Sequence, residues 1–166
     1  MQLPSTGSIH YPLIKNRSIA LRQAISLISQ KPTLLLQESI FNNIALPLHI
    51  QGYSPDYIKS KVNTALRKVG LAQQKNNFAQ VSVSALSLGE QHRVSIARAI
   101  INKPKILLAD EPTAHLDPKL AKSIINLLHQ FTQYNVTTII TTHNLNLIPP
   151  EAHVFSLDNG KIVRYR

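Results

Sequence analysis

The chain has 166 residues, no cysteine and a formal net charge of +10. That is room for one domain with a real core, and it excludes a disulfide framework or a thiolate metal site. The basic balance favours an anionic partner, nucleic acid or membrane surface, but Lys and Arg form no tight run, so an even scatter over a solvated surface is the simpler reading. No apolar stretch approaches the ~18 residues of a membrane span, and the opening MQLPSTGSIHY lacks the basic start and apolar core of a signal peptide.

Residues 8–11 and 24–28 read as short strands, the second apolar enough to be buried. Pro32 then interrupts the pattern. Ser39 is placed to cap a short helix running to Leu46, with Ile40 and Ile44 one turn apart, and Pro47 is expected to close it. Ser54-Pro55-Asp56 is a strong helix start, followed by Ile58, Val62, Leu66 and Val69 on one face and by Gly70 as a stop. Lys59, Lys61, Arg67 and Lys68 fall on its outer sides.

Residues 91–102 are expected to be helical through Val94, Ala97, Ile100 and Ile101. Residues 105–109 (KILLA) form a continuous apolar run, as in a parallel strand buried on both faces. A helix over 118–131 turns Leu120, Ile124, Leu127 and Leu128 inward, and the β-branched run at 136–141 is a strand. Residues 154–157 and 162–165 flank Asp158-Asn159-Gly160, a hairpin turn. Strands alternating with helices point to an α/β layer with a mostly parallel sheet.

The chemistry concentrates in LSLGEQHRVSIARAIINKPKILLADEPTAHLD, residues 86–117. An apolar strand ending in Asp110-Glu111 puts two carboxylates at its C-terminal edge, where open α/β sheets bind ligands. On its own that pair is weak evidence, since solvated acids at a strand end are common. A phosphate-cradling G-x-x-x-x-G-K-[ST] loop is found nowhere in the 166 residues: the one Gly-Lys pair, Gly160-Lys161, is followed by Ile162.

Taken together, these segments resemble the ATP-binding subunits of ABC transporters. Residues 86–90 (LSLGE) are similar to the family signature, Asp110 and Glu111 to its Walker B pair, and residues 114–117 (AHLD) to its D-loop. His143, after VTTIITT, is similar to the switch histidine, and Gln30 to the Q-loop glutamine. The resemblance implies a partial P-loop NTPase core with an α-helical subdomain. It divides into a core remnant over 1–30, a helical block over 31–101 and a second core segment over 102–166. ATP and Mg²⁺ are the implied cofactors, and two subunits sandwich ATP head to tail. Ser87 and Gly89 would serve the phosphate of the partner's ATP, and Asp117 would lie beside it. Asp110 and Gln30 would serve the metal; Glu111, His143 and Gln30 would hold the attacking water.

Within the family, NNIALPLHIQGYSPDYIKSKVNTALRKVGL and TTHNLNLI resemble the cell-division (FtsE-type) branch, with lipoprotein-release and macrolide-export ATPases as rivals. That branch implies a dimeric ATPase, an integral membrane permease-like partner of the FtsX type, no nucleic acid, and a peripheral place on the cytoplasmic face of the bacterial plasma membrane. The non-catalytic alternative is a subunit that lends its signature motif to an intact partner. Four positions depart from the pattern: Leu88 for glycine, Glu90 for glutamine (read as a mild change), His115 for asparagine and Asn144 for aspartate. Residues 1–29 resemble the part of the domain that follows the P-loop helix. The P-loop strand and helix are therefore expected to be missing, leaving apolar strand edges prone to association and a chain inactive by itself.

Overall fold

The computed structural model describes residues 23–72 and 77–164; the strand expected at 8–11 lies outside them. Three parallel strands form the centre of an α/β fold: β1 (Ile25–Ile28), β2 (Ile106–Asp110) and β3 (Thr137–Thr141), in the order β1-β2-β3. Ile28 pairs with Ala109, Ala109 with Ile140, and Asp110 with Thr141. The C-terminal ends of the strands therefore finish nearly level, on one edge of the sheet. Two further bonds extend the ladder at the opposite end: the Lys105 N–H donates to the Ala24 carbonyl and the Thr137 N–H to the Lys105 carbonyl, at 2.8 and 2.9 Å.

Among the described residues, four full helices accompany the sheet: α1 (Ile40–Ile50), α2 (Pro55–Lys68), α3 (Leu88–Ile100) and α4 (Pro118–Gln130). The first three pack on one another, and α3 also contacts β1 and α4. One continuous core runs from Ile28, Leu107 and Ala109 of the sheet to Ile44, Val62, Val94, Ile124 and Leu128 of the helices.

β2 corrects one expectation. Leu107 and Ala109 are buried, but Ile106 and Leu108 are only half-buried. One face of the strand is closed by helices and the other is partly covered. β3 is more open still, with Ile139 51% exposed.

α1 corrects another. Ser39 caps it as expected, its Oγ accepting from the Asn42 N–H at 3.0 Å. Pro47, however, lies inside the helix, which continues to Ile50. An interior proline costs about 3 kcal/mol. Burying Leu48, which extends the Ile40–Ile44 face by one more turn and is 2% exposed, returns roughly 1.5–3 kcal/mol and so offsets much of that cost. α2 follows its local signals closely: Ser54 and Pro55 open it, and Gly70, at φ +73°, stops it.

α3 begins at Leu88, three residues before the apolar periodicity suggested. It carries a buried histidine, His92, whose pKa is lowered from 6.5 by burial. The unfolded chain therefore takes up this proton first as the pH falls, so the stabilisation is complete above about 6.5 and is lost progressively below it. Urea unfolding between pH 5 and 8 is expected to show this decline, and His92→Gln to flatten it relative to the parent chain. An unchanged slope in the variant would place the acid sensitivity elsewhere.

The terminal hairpin is close to expectation. β4 (Phe155–Asp158) and β5 (Lys161–Arg164) pair antiparallel, and Asn159 and Gly160 both take positive φ, as a two-residue type I′ turn requires.

Candidate functional site

The sheet edge gathers the acidic residues. Asp110 ends β2 and Glu111 follows it. Thr141, at the end of β3, donates its hydroxyl to Asp110 Oδ1 at 2.7 Å and accepts the Glu111 N–H at 3.1 Å. That N–H also bonds the Thr141 carbonyl at 3.1 Å. These bonds hold Glu111 at φ +45°, a left-handed conformation that a side chain with a Cβ adopts only at some cost. His115, four residues on, is also left-handed at φ +64°. The short loop from β2 to α4 thus stores backbone strain at both ends of its turn.

His143 lies two residues beyond β3, with Nε2 3.4 Å from Glu111 Oε1. The imidazole is fully exposed and the Glu111 carboxylate is 22% exposed; the two form an ion pair whenever the imidazole is protonated. Gln30 is exposed, two residues beyond β1 on the same edge. Asp110, Glu111 and Gln30 supply hard oxygen donors, which suit Mg²⁺, an ion commonly held by one or two carboxylates together with substrate phosphates and water. Among the described residues no group of three or more His, Cys, Asp or Glu side chains is placed to hold a metal by itself.

The signature residues form a second cluster. Ser87, Leu88, Gly89 and Glu90 open α3 and line a groove of about 680 Å³ with His115, Asp117, Lys119 and Leu120. The Asp117 carboxylate caps α4, accepting from the Lys119 and Leu120 N–H groups at 3.1 and 3.0 Å. A Cβ on Gly89 would stand 2.9 Å from a Leu120 methyl, so glycine here lets α3 approach α4. The β2–α4 loop links the clusters, carrying Glu111 at one end and Asp117 at the other.

Glu90 is more than the mild change it resembles. Its Oε2 accepts both the Ser87 hydroxyl, at 2.7 Å, and the Ser87 N–H, at 2.9 Å, while the Glu90 N–H reaches Ser87 Oγ at 3.4 Å. This is a complete capping box. A carboxylate therefore sits at the positive end of α3 and takes up the serine proton. The pattern Ser-x-x-Glu was visible in the sequence as a helix-start signal.

Two positioning residues had weaker signals. Asn43 is fully buried in α1. Its Oδ1 accepts the Leu35 N–H at 2.8 Å, and its Nδ2 donates to the Leu35 and Ser39 carbonyls at 2.9 and 3.1 Å, which ties down the segment following Gln30. Arg98, on α3, donates to the Thr33 carbonyl at 2.8 Å and so joins the signature helix to that same segment. A polar residue inside the Ile40–Ile44 stripe was the one cue for Asn43; nothing local marked Arg98.

A family profile for ABC transporter matches residues 1–114. The chain is 40% identical over 169 residues to the cell division ATP-binding protein FtsE of Escherichia coli K12, covering 98% of this chain and 74% of that protein. Its structure is similar to cbiO1 of Clostridium perfringens, part of the ABC transporter complex cbiONQ, at a TM-score of 0.76 and 29% identity. It is similar also to the ATP-binding cassette MJ0796, solved as a dimer in a post-hydrolysis state with ADP and Pi, at 0.64 and 31%. These matches cover 86% and 76% of this chain, and the chain spans 56% and 55% of those two structures. With the family's motifs in order along the chain and its fold around them, this protein belongs to the ABC transporter family as an ATP-binding subunit similar to FtsE.

Proposed function

We propose that the chain is an FtsE-like ATPase subunit that shares ATP with a second ATPase subunit and couples its binding to an integral membrane partner. The observation that carries this reading is the level sheet edge, where Asp110, Glu111 and His143 stand within one set of contacts. Asp110 and Gln30 would hold Mg²⁺, which neutralises phosphate charge when bound. Glu111, braced by Thr141 and facing His143, would orient and polarise the attacking water. Ser87 and the Gly89 N–H would address the terminal phosphate of ATP held on the partner, with Asp117 beside it. The division into 1–30, 31–101 and 102–166 belongs to the same proposal, as do an FtsX-type partner and a peripheral place on the inner face of the plasma membrane. Among the described residues no helix is long and apolar enough to cross a membrane. The dimeric state of MJ0796 with ADP and Pi supports the shared-site arrangement.

A second reading is favoured by one observation: the 166 residues contain no G-x-x-x-x-G-K-[ST]. By themselves they lack the backbone cradle and lysine that hold the phosphates, so they would act as the donor half of a neighbour's site. The isolated chain is expected to hydrolyse ATP no faster than its Glu111→Gln variant. Saturable turnover that disappears with Glu111→Gln would overturn this and show that the chain completes a site of its own.

A further inference from the structure

A second groove, of about 460 Å³, lies between the C-terminus of α2 and the outer face of α4. Five cations line it: Arg67, Lys68, Arg93, Lys119 and Lys122. Among the described residues no carboxylate does. These residues are spread over more than fifty positions of sequence, and the fold brings them to one place.

Among the described residues no ion pair takes up their charge. The described ion pairs, His129–Glu151 and His143–Glu111, involve none of them. Arg93 donates to the Val69 carbonyl at 2.6 Å and to Ser123 Oγ at 2.7 Å, bridging the end of α2 to α4. The Lys68 ammonium sits 4.2 Å above the Tyr134 ring, which holds it in place without neutralising it. Asn126 and Gln130 continue the lining with amide donors. A concave wall of one charge sign, furnished with neutral donors and free of acids, concentrates anions, and clustered guanidinium and ammonium groups match phosphate oxygens.

We propose that this groove binds a multiply phosphorylated anion, recognised through its phosphate groups, apart from the composite ATP site. It adjoins the signature groove through Arg93, Lys119 and Ser123, but its binding wall at Lys68 and Lys122 lies outside the signature motif. The phosphate chemistry has two possible sources, a free phosphorylated solute or a lipid headgroup, and the test separates them.

Pyrophosphate is titrated calorimetrically into the full chain, and sedimentation with cardiolipin-containing vesicles, whose headgroup carries two phosphates, is measured beside phosphatidylcholine vesicles. Lys68→Glu/Lys122→Glu is expected to weaken binding by about tenfold or more, with Lys68→Gln/Lys122→Gln as the milder version should the reversal impair folding. Lys31→Glu/Lys59→Glu, an equal charge change outside the groove, is expected to leave binding nearly intact, as is Ser87→Ala. Pyrophosphate binding that is lost in the groove variants identifies a free solute. Vesicle binding lost in those variants, with pyrophosphate unbound, identifies a headgroup. Binding of neither probe overturns the proposal. So does an equal loss in the Lys31/Lys59 control, or a loss in Ser87→Ala.

Discussion

Asn43→Asp is expected to destabilise the chain by about 3–5 kcal/mol at neutral pH, the cost of an uncompensated buried charge. Asn43 is fully buried, with its acceptor on the Leu35 N–H and its donor shared between the Leu35 and Ser39 carbonyls. A carboxylate keeps the first bond but points a negative oxygen at two carbonyls, at a position buried from bulk solvent. Burial beside those carbonyls raises the carboxyl pKa, and the protonated acid can donate again. Part of the loss should therefore return as the pH falls. Urea unfolding of parent and variant at pH 7.5 and 5.5 reads this as a gap that narrows on acidification; the contribution of His92 is common to both and cancels. A gap below about 1 kcal/mol, or one that does not change with pH, would mean that the Asn43 bonds do not hold the segment.

Glu90→Gln is expected to raise ATP turnover about tenfold when the chain is mixed with an intact FtsE-type relative, equivalent to about 1.4 kcal/mol. In the parent the Glu90 carboxylate takes both the hydroxyl and the N–H of Ser87, at 2.7 and 2.9 Å. It also sets a negative charge where the partner's phosphate would approach the α3 N-terminus. Glutamine keeps a capping acceptor, removes the charge and competes less strongly for the serine proton. Stability should fall only slightly, by about 0.3–1 kcal/mol for the lost interaction with the helix dipole. Unchanged turnover would mean that Ser87 does not address the phosphate, or that the cap opens at no cost.

What the sequence revealed divides along physical lines. Signals that act within a few residues were legible: Ser54-Pro55 and Gly70 bounded α2, and Asn159-Gly160 made the hairpin turn. Asp110 and Glu111 could be placed at the end of a strand because an apolar run leads into them, whereas His143 and Gln30 were singled out only by resemblance to the family. Pro47 misled because much of its local effect was offset by the tertiary burial of Leu48. β2 was expected to be buried on both faces because an apolar run does not record how completely each face is covered. Asn43 and Arg98 act on backbone 4–8 and 65 residues away in the chain, which no periodicity reports. The cationic groove was invisible for the same reason: its residues come from three helices and the end of one of them, and read along the chain they look like scatter.

The most direct test uses a relative of the FtsE type with its own signature serine replaced by alanine, so that ATP held on its P-loop can be completed only by another chain. Mixed with this protein, turnover is expected to return, and to be lost again with Ser87→Ala here. No recovery on mixing, or recovery that survives Ser87→Ala, would contradict the account that this chain contributes the signature half of a shared ATP site.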